Sequence, residues 1–87
     1  MGYNELKDWE GVFRDVDCVR TMMYLAKYNP ARPFEELEEK LHFSKNEASK
    51  VINKLMAARM LIVENDSFTL KDSAMLALDN FIHLSKN

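Results

Sequence analysis

The sequence predicts a mainly α fold carrying one small β-hairpin, folded as a single domain over residues 1–87. Three observations lead there. With Gly 2 and Pro 2 in 87 residues, there is too little turn-forming material for a sandwich or a barrel. Apolar residues recur at helical spacing along most of the chain. Only between Leu61 and Leu70 does the pattern change, to two short strand-like runs flanking Asn65-Asp66. A chain of this length hides only about 60–65% of the surface its unfolded form exposes, so one core is the limit.

Residues 1–14 are expected to form an N-terminal helix. Between Tyr3 and Phe13, a single helical stripe carries Leu6, Trp9 and Phe13, with Val12 at its edge and Gly11 weakening the helix. Asp15 or Asp17 then caps a second helix reaching about Tyr28, with Val19, Met22, Met23 and Ala26 at helical spacing. Asn29-Pro30-Ala31-Arg32-Pro33 is the strongest break in the sequence. A short acidic helix follows from Glu35 to about His42 and turns Phe34, Leu37 and Leu41 inward.

Ser44 followed three residues later by Glu47 is a capping-box pattern, in which each side chain accepts from the other residue's backbone N–H. The helix it starts reaches about Arg59 and buries Ala48, Val51, Ile52 and Leu55. Only His42 and Phe43 separate it from the acidic helix, so the two must cross steeply, in helix-turn-helix geometry. Leu61–Glu64 and Ser67–Leu70 form the hairpin, with Asn65-Asp66 suited to its tight turn. Asp72 or Ser73 then caps a C-terminal helix, residues 72–87, carrying Ala74, Met75, Leu78, Phe81 and Ile82.

Composition excludes several functions. Twelve Lys+Arg against 14 Asp+Glu give a net charge of −2, so no argument can start from an overall basic surface. No apolar run approaches the length of a membrane span. The single cysteine, Cys18, cannot form an internal disulfide, and the first residues lack a basic start followed by an apolar run; a reducing, cytoplasmic setting is expected. His42 and His83 have no carboxylate at a spacing that would orient them, and Cys18 adds too little for a zinc site. Neither an enzyme nor a bound cofactor or metal is expected. The six methionines read most simply as core fillers.

Three segments carry a family likeness: Phe34-Glu35-Glu36-Leu37, Phe43-Ser44-Lys45-Asn46-Glu47-Ala48-Ser49-Lys50-Val51, and Leu55-Met56-Ala57-Ala58-Arg59-Met60-Leu61-Ile62. With the return strand Phe68-Thr69-Leu70 and the start of the last helix, they resemble winged helix-turn-helix domains of the MarR/ArsR-like kind found in bacterial and archaeal regulators. The likeness spans roughly residues 15–75. It implies a winged helix-turn-helix with extra N- and C-terminal helices, a recognition helix at 44–59, and double-stranded DNA as the partner of a transcriptional regulator. The chain departs from the pattern twice. Arg59 stands where such domains often have Gly, and would have to accept an unusual backbone conformation or end the helix differently. The wing tip, Glu64-Asn65-Asp66-Ser67, is short and acidic, and the paired thiolates of ArsR-like metal sensors are missing.

On that helix the face opposite Val51, Ile52 and Leu55 carries Asn46, Lys50, Asn53 and Ala57, flanked by Ser49 and Lys54, with Lys45 in the first turn. Asn bonds adenine bidentately, Lys reaches guanine acceptors, and rim lysines meet phosphates. The expected DNA-binding residues are therefore Lys45, Asn46, Ser49, Lys50, Asn53 and Lys54. Between Ser44 and Met60, four cations stand against Glu47 alone, a local +3 that leaves −5 for the rest of the chain. Glu35 and Glu36 at the start of the acidic helix oppose a phosphate, with Arg32 the one nearby cation to offset them. The terminal helices hold more apolar surface than a small core requires, which points to a homodimer through Leu6, Trp9, Phe13, Met75, Leu78, Phe81 and Ile82. The alternative is a winged-helix interaction module that docks another protein on its acidic wing and touches no base.

Overall fold

The computed structural model describes residues 9–28 and 32–86. Residues 9–13 are helical, and four longer helices and three strands follow. In chain order these are α1 (Val16–Tyr28), β1 (Arg32–Pro33), α2 (Phe34–Leu41), α3 (Lys45–Ala57), β2 (Leu61–Glu64), β3 (Ser67–Leu70) and α4 (Asp72–Lys86). The protein is mainly helical with a small antiparallel sheet ordered β1-β3-β2.

Of the two carboxylates expected at the start of α1, Asp15 is the cap. Its Oδ1 accepts from the N–H groups of Asp17 and Cys18 at 3.0 and 3.4 Å, which satisfies two donors that the helix itself leaves free. Cys18, Thr21, Met22 and Leu25 form its buried side, and Thr21 returns its hydroxyl to the Asp17 carbonyl. α1 is the centre of the molecule, packed against α3, α4 and β3. Burial pushes the Cys18 thiol up to about 12, helped by the Asp15 carboxylate, so the sulfur is an inert core atom.

Two corrections concern the sheet and the last helix. Arg32 and Pro33, expected only as a break, form a third strand opposite Phe68 and Ser67. Proline fits there because an edge strand can leave its outer side without a donor. Neither Asp72 nor Ser73 caps α4: the Met75 N–H bonds the Lys71 carbonyl, which puts the cap one residue earlier and Asp72 in the first turn. In that turn the Asp72 carboxylate faces the positive end of the helix.

The α2–α3 connection is tight. His42 ends α2 in the left-handed region at φ 59°, and the full capping box of Ser44 and Glu47 starts α3. Arg20 of α1 braces this corner, donating to the Leu41 carbonyl at 2.8 Å with its guanidinium 5.1 Å from the Phe43 ring centroid. At the far end of α3, Arg59 accepts the left-handed conformation at φ 59°. Arg59 N–H bonds Met56 O and Met60 N–H bonds Leu55 O, the paired bonds of a Schellman stop. Holding a residue with a Cβ there costs about 1 kcal/mol relative to glycine.

The hairpin runs Leu61↔Leu70 to Glu64↔Ser67, with Asn65 and Asp66 both at positive φ as a two-residue type I′ turn demands. Phe68 and Leu70 are buried in the same core cluster as Leu37, Val51, Leu55 and Met60. The methionines divide: Met22 and Met60 fill the core, whereas Met23 and Met56 are exposed. Among the described residues no helix is long and apolar enough to cross a membrane.

Candidate nucleic-acid interface

α3 buries Ala48, Val51, Ile52 and Leu55 on one side, and this alone fixes what the other side shows. Lys45, Asn46, Lys50, Asn53 and Ala57 are exposed, and Ser49 is half-buried at the margin. A residue every three or four positions keeps Asn46, Lys50, Asn53 and Ala57 in one row along the helix. Exposed Met56 borders that row. The face thus offers two amides, one ammonium and a methyl-sized gap on a rigid support, a set that can address base edges. Lys45 lies in the first turn, where a phosphate would also meet the positive end of α3.

Glu47 is the one acid on this helix, and its position limits its effect. Its carboxylate accepts from the Ser44 backbone N–H at 2.8 Å, and that bond together with the Ser44 hydroxyl holds it below the usual carboxylate range. It is folded back on the helix end and does not stand in the row of Asn46 and Lys50.

Lys54 differs from the other lysines. Its Nζ lies 3.1 Å from Asp15 Oδ2, across from the start of α1. The stem passes the N-terminal helical turn, with Cε 3.9 Å from where a Cβ on Gly11 would stand. Lys54 is therefore turned away from the Asn46–Lys50–Asn53 row and is neutralised by a partner. The +3 read along residues 44–60 becomes +2 once Asp15 is included. Nothing in the sequence pairs two residues 39 positions apart.

The carboxylates expected to oppose a phosphate at α2 are also distributed unequally. Glu36 receives the Tyr24 hydroxyl and lies 3.3 Å from Arg32, the cation expected to offset it. Burial, then the bond to Glu36, pushes the Tyr24 phenol up to about 12. Glu35 stays exposed. The hairpin tip is exposed from Ile62 to Asp66, with Glu64 and Asp66 facing solvent.

The expected dimer residues are mostly occupied within the protomer. Leu6 lies outside the described residues. Trp9 packs on the core and donates its indole N–H to the Ala58 carbonyl at 2.8 Å, closing the end of α3. Phe13 stacks on Phe81 with ring centroids 4.9 Å apart, and Met75 and Ile82 lie against the core. Leu78 is buried in the core of its own chain because α1 lies along α4, so it is not available to a second copy. Among the described residues the large apolar side chains that face outward most are Val16 (70% exposed), Leu76 (65%) and Leu84 (76%).

Among the described residues, no three His, Cys, Asp or Glu side chains stand close enough to hold a metal ion. No protein-family model matches this chain, and no curated protein or solved structure shows significant similarity to it.

Proposed function

We propose that the protein is a winged helix-turn-helix regulator that binds duplex DNA through α3 and acts as a homodimer. The observation that carries this reading is the outer row of α3: exposed Asn46, Lys50 and Asn53 on a helix anchored by four core residues, with Lys45 at its start. The element order and the β1-β3-β2 sheet are compatible with a winged-helix arrangement. Val16, Leu76 and Leu84 supply apolar surface for a second copy, which would double a modest set of phosphate contacts.

Lys45 and Lys50 give two phosphate-directed cations per protomer. At a slope of about −0.9 per contact, a monomer's affinity should fall about 12-fold between 50 and 200 mM salt, and a dimer's by more. Fluorescence anisotropy of a labelled mixed-sequence duplex measures this. Saturable binding in the micromolar range, weakening at least tenfold over that interval, supports the reading; no binding at either salt removes it.

One feature favours a second reading, an interaction module. The exposed tip Glu64-Asn65-Asp66 adjoins exposed Ile62 and Val63, an acidic and apolar pairing suited to a protein partner and ill suited to phosphates.

A further inference from the structure

We propose that Asp15 is a positioning residue that withholds Lys54 from nucleic acid, acting as an internal competitor for the phosphate that Lys54 would otherwise contact. This inference rests on the DNA-binding reading of α3. Lys54 lies one helical turn beyond Lys50, at the flank where a duplex backbone would pass. Its ammonium is taken instead by Asp15 Oδ2 at 3.1 Å, whereas among the described residues no ion-pair or hydrogen-bond partner engages the side chain of Lys45 or Lys50.

Asp15 is well placed to compete because its orientation is set by another task. The second oxygen, Oδ1, is fixed by the N–H groups of Asp17 and Cys18 at the start of α1. The carboxylate therefore keeps its direction whether or not Lys54 is present, and little ordering is required to form the pair. Burial alone would raise the Asp15 pKa, but the bonds from Lys54 and from the Cys18 and Asp17 N–H groups outweigh it and keep the group charged. The Lys54 stem passes Gly11, with Cε 3.9 Å from where a Cβ there would stand, an ordinary van der Waals distance.

The pair is nonetheless within reach of solvent, with side chains 45% and 33% exposed for Lys54 and Asp15. An exposed pair of this kind is held weakly, so a phosphate arriving in the right place can exchange with the carboxylate. The arrangement lowers affinity for any duplex whose phosphate must displace Asp15 from Lys54.

Asp15→Asn tests the idea, because asparagine caps a helix as well as aspartate and loses only the charge. Anisotropy titrations with the same mixed-sequence duplex are run on wild type, Asp15→Asn, Lys54→Ala and the double variant, with thermal melts confirming the fold. The expected result is a three- to tenfold gain in affinity for Asp15→Asn at 50 mM salt and a salt slope steeper by about 0.9, one additional phosphate contact. In the Lys54→Ala background the same change should give no gain. An equal gain in both backgrounds would overturn the proposal, since Asp15 would then act only by repelling phosphate itself. No gain in either background overturns it as well. Should wild type and Asp15→Asn both fail to bind, the DNA-binding reading falls and takes this role with it. If Asp15→Asn melts early, Asp15→Ser, another uncharged cap, replaces it with the same criteria.

Discussion

Lys50→Glu is expected to lower duplex affinity by about two orders of magnitude while moving the melting temperature by no more than about 4 °C. Lys50 stands in the middle of the outer row of α3, exposed, between Asn46 and Asn53. A good base or phosphate contact is worth about 1–3 kcal/mol, and the reversal adds repulsion from the backbone it should attract. The fold has little to lose. The side chain is exposed, and a glutamate there would stand one turn from Glu47, a like-charge pair that costs a few tenths of a kcal/mol. Parallel anisotropy and circular-dichroism melts separate the two effects. Wild-type affinity in a folded Lys50→Glu protein would remove the outer row of α3 from the account.

Leu55→Ala should do the opposite, damaging the fold and leaving the chemistry of the face intact. Leu55 is fully buried on the inner stripe of α3, where that helix packs against α1. Truncation loses the transfer free energy of the side chain and leaves a cavity, about 3 kcal/mol together. In a domain of this size each kcal/mol is worth about 4–8 °C, so the midpoint should drop by about 12–24 °C. Thermal unfolding by circular dichroism reads this directly, and a loss below about 1 kcal/mol would contradict the packing of α3 on α1. Well below its lowered midpoint, the variant should still bind DNA, because Asn46, Lys50 and Asn53 are untouched.

Local chemistry made much of this fold legible. The Ser44/Glu47 box, the Asn65-Asp66 turn and the inner stripe Ala48, Val51, Ile52 and Leu55 all depend on neighbours within a few positions. At Arg59 the likeness left two outcomes open, an unusual backbone conformation or a different helix end, and the φ of 59° is the first of them. Features set by distant partners were not legible. A two-residue strand containing proline has no alternation to detect, and Arg32–Pro33 becomes one only because the edge of β3 is free beside it.

The same reason governs the site. The outer row of α3 follows from helical periodicity once the inner row is known. Lys54 looks identical to Lys50 in sequence and differs only because Asp15, 39 residues earlier, comes to rest beside it. The apolar excess of the terminal helices was readable, but not its allocation. Trp9, Phe13 and Leu78 are consumed inside the protomer by contacts that periodicity cannot assign, leaving Val16, Leu76 and Leu84 outside.

The central claim is that the outer face of α3 is the surface that meets DNA. Amide and side-chain NMR shifts followed during titration with a short duplex at about 50 mM salt address it residue by residue. The account predicts the largest changes at Lys45, Asn46, Ser49, Lys50 and Asn53, including the side-chain amides of the two asparagines. Changes confined to the acidic tip Glu64–Ser67, or a spectrum indifferent to the duplex, would contradict it.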